Sequence, residues 1–160
     1  MTIKFSKMNE QDFKEFYDVA TINFANDKIN NGSWPEQTAL EQSKEAFQSL
    51  LPDNEKTENH YLKNILFMDR KIGYMWYAIN STEPSPHAYL YEIFINPEFR
   101  GKGFGTEAMR LCMKEIEQKG IDDVWLHVFG HNHGALKLYQ QLGFETTDYT
   151  MKASAKQFDH

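Results

Sequence analysis

The sequence has little of what several large classes of protein require. It has one cysteine, Cys112, so an internal disulfide bond is excluded and a reducing compartment such as the cytoplasm is expected. The 17 basic residues are outnumbered by 23 acidic ones, and a net charge of −6 argues against sequence-independent binding of nucleic acid. No apolar run approaches the roughly 20 residues of a membrane span, and residues 1–10 lack a secretory signal. We therefore expect a cytoplasmic protein without a membrane or nucleic-acid partner.

The composition is nevertheless that of a folded globular protein. Hydrophobic residues make up 41% of the chain and aromatic residues 14%, which is enough for a substantial core. The sequence contains no internal repeat, low-complexity tract or linker. A length of 160 residues fits one domain, so residues 1–160 are interpreted as one.

Hydrophobic periodicity predicts ten elements in the order β-α-α-β-β-β-α-β-α-β. Helices are expected after Asn9, after a capping box at residues 33–36, before Gly120, and between Asn132 and Gly143. Strands are expected at TIKFSKM, YLKNILFM, KIGYMWYAIN, AYLYEIFI, VWLHVF and FETTDYTMK. The fold class is therefore α/β in the layered α+β sense, with helices packed over a mixed central sheet.

A glycine-rich loop, NPEFRGKGFGTE at residues 96–107, joins a central strand to a predicted helix. A helix N-terminus leaves backbone N–H groups unpaired and carries a partial positive charge, while glycine lets an anion approach the backbone. Arg100 and Lys102 add positive charge at the same place. The loop favours a phosphate ligand, although a glycine-rich turn with two solvated basic residues is an alternative.

The loop also satisfies the relaxed dinucleotide fingerprint through Gly103, Gly105 and Ala108. A dinucleotide site should have an acidic residue at the end of the next strand, but VWLHVFG ends in Phe129 and Gly130. The triphosphate motif G-x-x-x-x-G-K-[ST] is absent from the sequence. A nicotinamide-dependent oxidoreductase therefore remains only a rival interpretation.

Several motifs resemble one known family. RGKGFG, from Arg100 to Gly105, resembles the (Q/R)-x-x-G-x-(G/A) loop of the GNAT superfamily of N-acetyltransferases. The strand LYEIFI before it, LHVFGHNHGALKLYQQLGF after the helix, and the closing FETTDYTMK are similar to that superfamily in the same order. The resemblance covers the whole chain in element order and residues 88–152 in motif detail, and it implies a GNAT-like fold.

The resemblance implies a site for acetyl-CoA as co-substrate. The pantetheine arm is expected along the backbones of Phe94 and Ile95, in a V-shaped gap between that strand and the next. Asn132 is expected both to cap its helix and to contact the cofactor. The pyrophosphate is expected on a loop made of Arg100, Gly101, Lys102, Gly103, Phe104, Gly105 and Thr106.

Two side chains are candidates for catalysis. The family places a tyrosine at Tyr139, within NHGALKLY, as the acid for the departing thiolate, whereas its helical spacing alone indicates core packing. Glu92 is the one charge in an otherwise apolar strand, where burial would raise its pKa and suit it as a general base. The alternatives are a structural carboxylate satisfied by a neighbouring tyrosine or backbone group, and a base role for His127 or a water chain.

A metal centre is not expected. His127, His131 and His133 cluster in sequence, but no cysteine or carboxylate stands at regular ligand spacing from them. Cys112 lies on the apolar face of a predicted helix, as a small core residue rather than a covalent acetyl carrier. Direct transfer in a ternary complex follows.

The acceptor is the least defined part of the interpretation. Asp18, Asp27 and Glu36 lie near the expected acceptor walls and favour a cationic amine, either a small molecule or a peptide. Aromatic residues that could line an apolar wall, or simply fill the core, are Phe24, Trp34, Tyr74 and Trp76. A homodimer is compatible with the sequence. The alternative to an enzyme is a non-catalytic acyl-CoA-binding sensor.

Overall fold

A computed structural model of the chain describes residues 2–158 and contains one five-stranded sheet. The strands lie in the order β1-β2-β3-β4-β5, and the first four pair antiparallel while β5 runs parallel to β4. The strand bounds are β1 Ile3–Lys7, β2 His60–Phe67, β3 Arg70–Asn80, β4 His87–Ile95 and β5 Asp123–Leu126. The predicted mixed sheet with flanking helices is confirmed.

Four helices accompany the sheet: α1 Glu10–Asn30, α2 Ala39–Leu50, α3 Phe104–Gln118 and α4 His133–Gln141. The predicted cap at Asn9 is confirmed, because its side chain accepts from the Asp12 backbone N–H and the Asp12 carboxylate accepts in return. None of the helices in residues 2–158 combines the length and apolarity needed to cross a bilayer.

The capping box predicted at residues 33–36 is wrong. The Pro35 carbonyl accepts from the N–H groups of Thr38 and Ala39, so the segment folds as a turn and α2 begins only at Ala39. A sequence that matches a capping box predicts a helix start only weakly, because the same residue types also favour turns.

Strand alternation distributes the core over both faces of the sheet. On one face, Tyr74 and Trp76 of β3 pack with Phe16 of α1 and Phe47 of α2. On the opposite face, the sheet residues Ile72, Met75, Tyr77 and Leu90 form one cluster with the α3 residues Phe104, Ala108, Met109 and Cys112. The sheet is therefore covered by α1 and α2 on one side and by α3 on the other.

The last predicted strand is wrong, since residues 144–152 form neither helix nor strand. An edge strand is stabilised when one of its faces is buried, but here the side chains of Tyr149 and Met151 are 82% and 89% exposed. The preceding predicted strand, VWLHVF, is also shorter than expected, because β5 ends at Leu126. The first nine elements follow the predicted order.

Substitution Gly73→Ala tests the closeness of β3 and β4. A Cβ atom at Gly73 would overlap the Phe94 carbonyl oxygen, a backbone atom that cannot move without disturbing the sheet. We expect the free energy of unfolding in urea to fall by about 2 kcal/mol or more. Gly130→Ala is the matched control, because a Cβ there meets no atom within 4 Å. Equal stability of the two variants would contradict this close approach of the two strands.

Candidate active site

The central feature of the site is the point at which β4 and β5 stop pairing. The parallel register runs from His87↔Asp123 to Leu90↔Leu126, and β4 then continues alone along this edge to Ile95. The chain after Leu126 leaves the sheet. The two strands therefore separate towards their C-terminal ends, where the family resemblance predicted a gap.

A β-bulge in β4 determines which side chains face this region. The register with β3 shifts between Trp76↔Glu92 and Tyr77↔Leu90, so Tyr91 is the extra residue. A bulge sets two consecutive residues against one on the neighbouring strand and re-aims their side chains. Tyr91 packs with the aromatic cluster under α1 and α2, and Glu92 lies opposite Trp76 of that cluster. The base candidate is thus on the α1 and α2 side.

Glu92 is held by a hydrogen bond from the neighbouring strand. The Tyr74 hydroxyl donates to its Oε1 over 2.9 Å. Burial raises the pKa of Glu92 to about 7, while the Tyr74 hydrogen bond opposes the rise and the charge of Asp27 adds to it. Burial and the nearby Glu92 carboxylate also raise the pKa of Tyr74. At neutral pH the carboxylate can therefore accept a proton, whereas Tyr74 keeps its own.

Tyr139 approaches the same site from α4. Burial raises its pKa to about 12, and the charge of Glu92 contributes to that rise, so the two groups share one electrostatic environment. The ring also packs on Phe144, with ring centroids 5.8 Å apart, and against the core cluster on the α3 side. The packing role expected from helical spacing is confirmed, and the acid role remains a prediction. Tyr139 is protonated at neutral pH.

The glycine-rich loop ends at the first turn of α3. Gly103 is the N-cap residue with φ of 88°, and Gly101 has φ of 74°, a region that other residues adopt only with strain. The first helical hydrogen bond runs from the Glu107 N–H to the Gly103 carbonyl. The N–H groups that precede it are those left without intrahelical partners at any helix start. This backbone fits a pyrophosphate.

The two basic residues of the loop also contact the protein itself. Arg100 Nε donates to the Ile95 carbonyl over 2.7 Å, and its guanidinium lies 5.0 Å from the Phe94 ring centroid. Lys102 Nζ donates to the Glu98 carbonyl over 3.3 Å. Both side chains are thus anchored beside the loop, where their charge still favours an anion.

The remaining predicted cofactor contacts are placed as follows. Phe94 stacks on Tyr74, with ring centroids 5.0 Å apart, and Ile95 packs on the α3 side, so their side chains belong to the core and their backbone contact with a cofactor stays a prediction. Phe104 is buried, while Thr106 is partly exposed in the first turn of α3. Asn132 caps α4 by accepting from the Ala135 N–H over 3.2 Å, which confirms the predicted cap. Its contact with a cofactor stays a prediction.

A second contact joins the end of α1 to the turn before α4, close to Glu92. Asp27 at the end of α1 lies 2.9 Å from Nε2 of His131, in the turn before α4. The His131 ring stacks on Phe129, which in turn contacts Phe24 of α1. Among the acidic residues expected near the acceptor, Asp27 is brought to the site, whereas Asp18 and Glu36 are exposed.

His127 does not join a metal centre. Within residues 2–158, no three histidine, cysteine, aspartate or glutamate side chains converge well enough to hold a metal ion. The His127 ring lies edge-on to Phe129, and burial together with the charge of Lys28 lowers its pKa. The imidazole is therefore neutral at pH 7, and its role as an alternative base stays a prediction.

Two partners in the site are not assigned from sequence. Tyr74 is expected there only as an apolar wall, and His131 only as a loop residue, yet each hydrogen-bonds a carboxylate of the site. The alternation of β3 could have placed Tyr74 beside β4, but only the bulged register brings it to Glu92. The contact between Asp27 and His131 spans 104 residues and has no local signal.

Comparison with known proteins agrees with this geometry. The uncharacterized N-acetyltransferase YdgE of Bacillus subtilis is 31% identical over 153 residues, which cover 95% of this chain and 98% of that protein. A crystal structure of the acetyltransferase YycN of Bacillus subtilis has 30% identity and a TM-score of 0.92, and covers 96% of this chain and 98% of that one.

A more distant structure shares the fold. The PaiA N-acetyltransferase of Thermoplasma acidophilum, solved in complex with coenzyme A, has a TM-score of 0.70 and 20% identity, and the match covers 94% of each chain. The model of the Acetyltransferase (GNAT) family matches residues 24–144. The predicted resemblance is confirmed: the chain belongs to the GNAT family of acetyltransferases.

Proposed function

We propose that the protein transfers an acetyl group from acetyl-CoA to a primary amine by direct attack in a ternary complex. The observation that carries this proposal is Glu92, a carboxylate with a pKa of about 7 beside the separated ends of β4 and β5. Family membership supports acetyl transfer, and the names of the two Bacillus relatives support nitrogen as the acceptor atom.

The glycine-rich loop is proposed to hold the pyrophosphate. The unpaired N–H groups at the start of α3 would donate to the phosphate oxygens, and Arg100 and Lys102 would add positive charge. The end of β4 at Phe94 and Ile95, beyond its pairing with β5, would pair with the pantetheine arm. Acetyl-CoA then supplies an acetyl group activated as a thioester, at the gap between the strands.

Glu92 is proposed to take the proton that the attacking ammonium must lose. A general base is most effective when its pKa lies near the working pH, and burial brings Glu92 there. Tyr74 fixes one carboxylate oxygen through its hydrogen bond. The other oxygen is available for the amine or for a water molecule between them.

Tyr139 is proposed to protonate the departing thiolate. With a pKa of about 12 it carries its proton throughout the neutral range. Cys112 supports direct transfer, because burial raises its pKa to about 12 and leaves too little thiolate to carry an acetyl group.

Substitution Gly103→Ala is expected to weaken binding of coenzyme A by about tenfold or more, because the added methyl group crowds the backbone that receives the anion. Gly120→Ala at the other end of α3 is the matched control, since Gly120 has a comparable positive φ of 80°. Both variants should lose about 1–2 kcal/mol of stability in denaturant. Isothermal titration calorimetry should then find weaker binding in the first variant alone. Equal affinity of both variants would contradict a phosphate site at this loop.

Thiol release from acetyl-CoA with a panel of primary amines tests the transfer reaction. We expect kcat/KM to rise with pH through about pH 7, because Glu92 must be ionised to act as the base. Glu92→Gln should lower kcat by about 100-fold or more and abolish this rise.

Tyr139→Phe should lower kcat while leaving both the pH profile at acidic pH and coenzyme A affinity unchanged. Binding of coenzyme A without turnover of any amine would instead support an acyl-CoA-binding sensor.

Substitution Tyr74→Phe tests whether the hydrogen bond from Tyr74 lowers the pKa of Glu92. The Tyr74 hydrogen bond lowers the pKa of Glu92, so its loss should move the acidic limb of the pH–rate profile to higher pH by about one unit. The packing against Phe16 and Phe94 is retained by the phenylalanine ring. Tyr17→Phe, on α1, is a control whose profile should match the wild type. A limb that moved to lower pH in Tyr74→Phe would contradict the assignment.

A further inference from the structure

The turn between β2 and β3 brings a second element to the glycine-rich loop. Met68 and Asp69 form this turn, and both have positive φ, 51° and 62°, as a tight two-residue hairpin turn requires. β3 then begins at Arg70. The Asn96 N–H donates to the Ile72 carbonyl over 2.8 Å, so the chain that leaves β4 is fastened beside the start of β3. Arg70 therefore lies on a short hairpin next to the first residues of the loop.

An aromatic ring of the loop holds the Arg70 side chain. The guanidinium carbon lies 5.1 Å from the ring centroid of Phe99, which ends the short helical turn Pro97–Phe99. The Phe99 ring packs on Phe104, the first residue of α3, with centroids 6.2 Å apart. Phe104 also packs on Phe67 at the end of β2, with centroids 4.8 Å apart. Packed rings thus fix the position of Arg70 relative to the start of α3.

The charge of Arg70 is not neutralised by an ion pair. Asp69, which precedes it, pairs with Lys4 over 2.8 Å. Lys71, which follows it, pairs with two carboxylates of α1. None of the ion pairs formed within residues 2–158 includes Arg70. The side chain is exposed, and its five N–H donors form a planar fork that fits phosphate oxygens, so Arg70 is open to an anionic ligand.

A second cation lies at the same ring. Nζ of Lys102 is 5.9 Å from the Phe99 ring centroid and donates to the Glu98 carbonyl. An ammonium group has three donors, so two remain for a ligand. The charges of Lys102 and Arg70 repel each other, whereas an anion bound beside both is attracted by both. These two residues, the basic pair, therefore favour a compact group with more than one negative charge.

Coenzyme A carries one more phosphate than the start of α3 is proposed to bind. Its pyrophosphate would accept from the unpaired N–H groups of the helix start. Its 3′-phosphate is attached to the same ribose, so it lies near the pyrophosphate in space. A phosphate monoester has a charge of about −1.5 to −2 at pH 7 and three acceptor oxygens. The basic pair is beside the loop and matches this charge.

We propose that Arg70, with Lys102 beside it, binds the 3′-phosphate of coenzyme A and lets the protein discriminate coenzyme A from its dephospho form. The inference rests on the coenzyme A site proposed at the loop and adds a subsite to it. Arg70 acts in specificity rather than in catalysis, because the 3′-phosphate takes no part in acetyl transfer. The contact comes from the β2–β3 turn, outside the motif RGKGFG that predicts the phosphate site.

Isothermal titration calorimetry with coenzyme A and with dephospho-coenzyme A tests the inference without any amine. The wild type should bind the dephospho form about tenfold more weakly, because charge-assisted contacts to the 3′-phosphate are absent. Arg70→Gln should reduce this preference to about threefold or less by weakening coenzyme A alone. Arg70→Lys, which keeps the charge but not the fork, should retain part of the preference. Arg110→Gln, which removes the same charge from an exposed position of α3, should match the wild type.

Substitution Gly103→Ala separates the two phosphate sites. It should weaken both ligands to the same extent and keep the preference, because both ligands carry the pyrophosphate. Unchanged binding of dephospho-coenzyme A by Arg70→Gln shows in addition that this variant is folded.

The outcomes distinguish the subsite from the proposed reaction. If the preference is found and depends on Arg70 but no amine is acetylated, the reaction fails and the subsite stands. Equal affinity of the wild type for both ligands would overturn the subsite. So would an equal weakening of both ligands in Arg70→Gln, or a preference that Arg70→Gln does not change. No binding of coenzyme A at all would overturn the subsite together with the phosphate loop.

Discussion

The site depends on one limit in backbone pairing: β4 and β5 are hydrogen-bonded only as far as Leu90 and Leu126. A parallel pair that continued to Ile95 would use every backbone group of β4 and leave no edge for a ligand. Since the strands separate, the end of β4 has one edge that pairs with no further strand of residues 2–158. That edge leads directly into the loop and the start of α3. The separation therefore puts the strand edge proposed for the thioester next to the loop proposed for the phosphate, within one short segment.

The bulge at Tyr91 adds the second element of the site. Without the extra residue, strict alternation would send Tyr91 and Glu92 to opposite faces of the sheet. With it, both belong to the side covered by α1 and α2. The carboxylate therefore lies among aromatic side chains, where burial raises its pKa to about 7. One irregularity in one strand thus places Tyr91 and the proposed base on the same face of the sheet.

What the sequence predicts well is what depends on a few neighbouring residues. Caps at Asn9 and Asn132 and the glycine-rich start of α3 are local features, and the structure contains each of them. Glu92 is identifiable as a charge in an apolar strand. The hydrogen bond from Tyr74 is not, because it depends on the register between two strands. Residues 144–152 have the β-branched composition of a strand but no buried face, which only the folded chain reveals.

A continuous set of contacts joins the glycine-rich loop to Glu92, the proposed base. Arg100 holds the Ile95 carbonyl and lies over Phe94, Phe94 stacks on Tyr74, and the Tyr74 hydroxyl donates to Glu92. The first of these contacts gives the Ile95 carbonyl a partner beyond the point at which β4 and β5 stop pairing. A strand end with a free edge would otherwise be costly, since unpaired polar groups away from water cost about 1–3 kcal/mol each. Arg100 therefore supports the separated strand in addition to the charge that it is proposed to offer the anion.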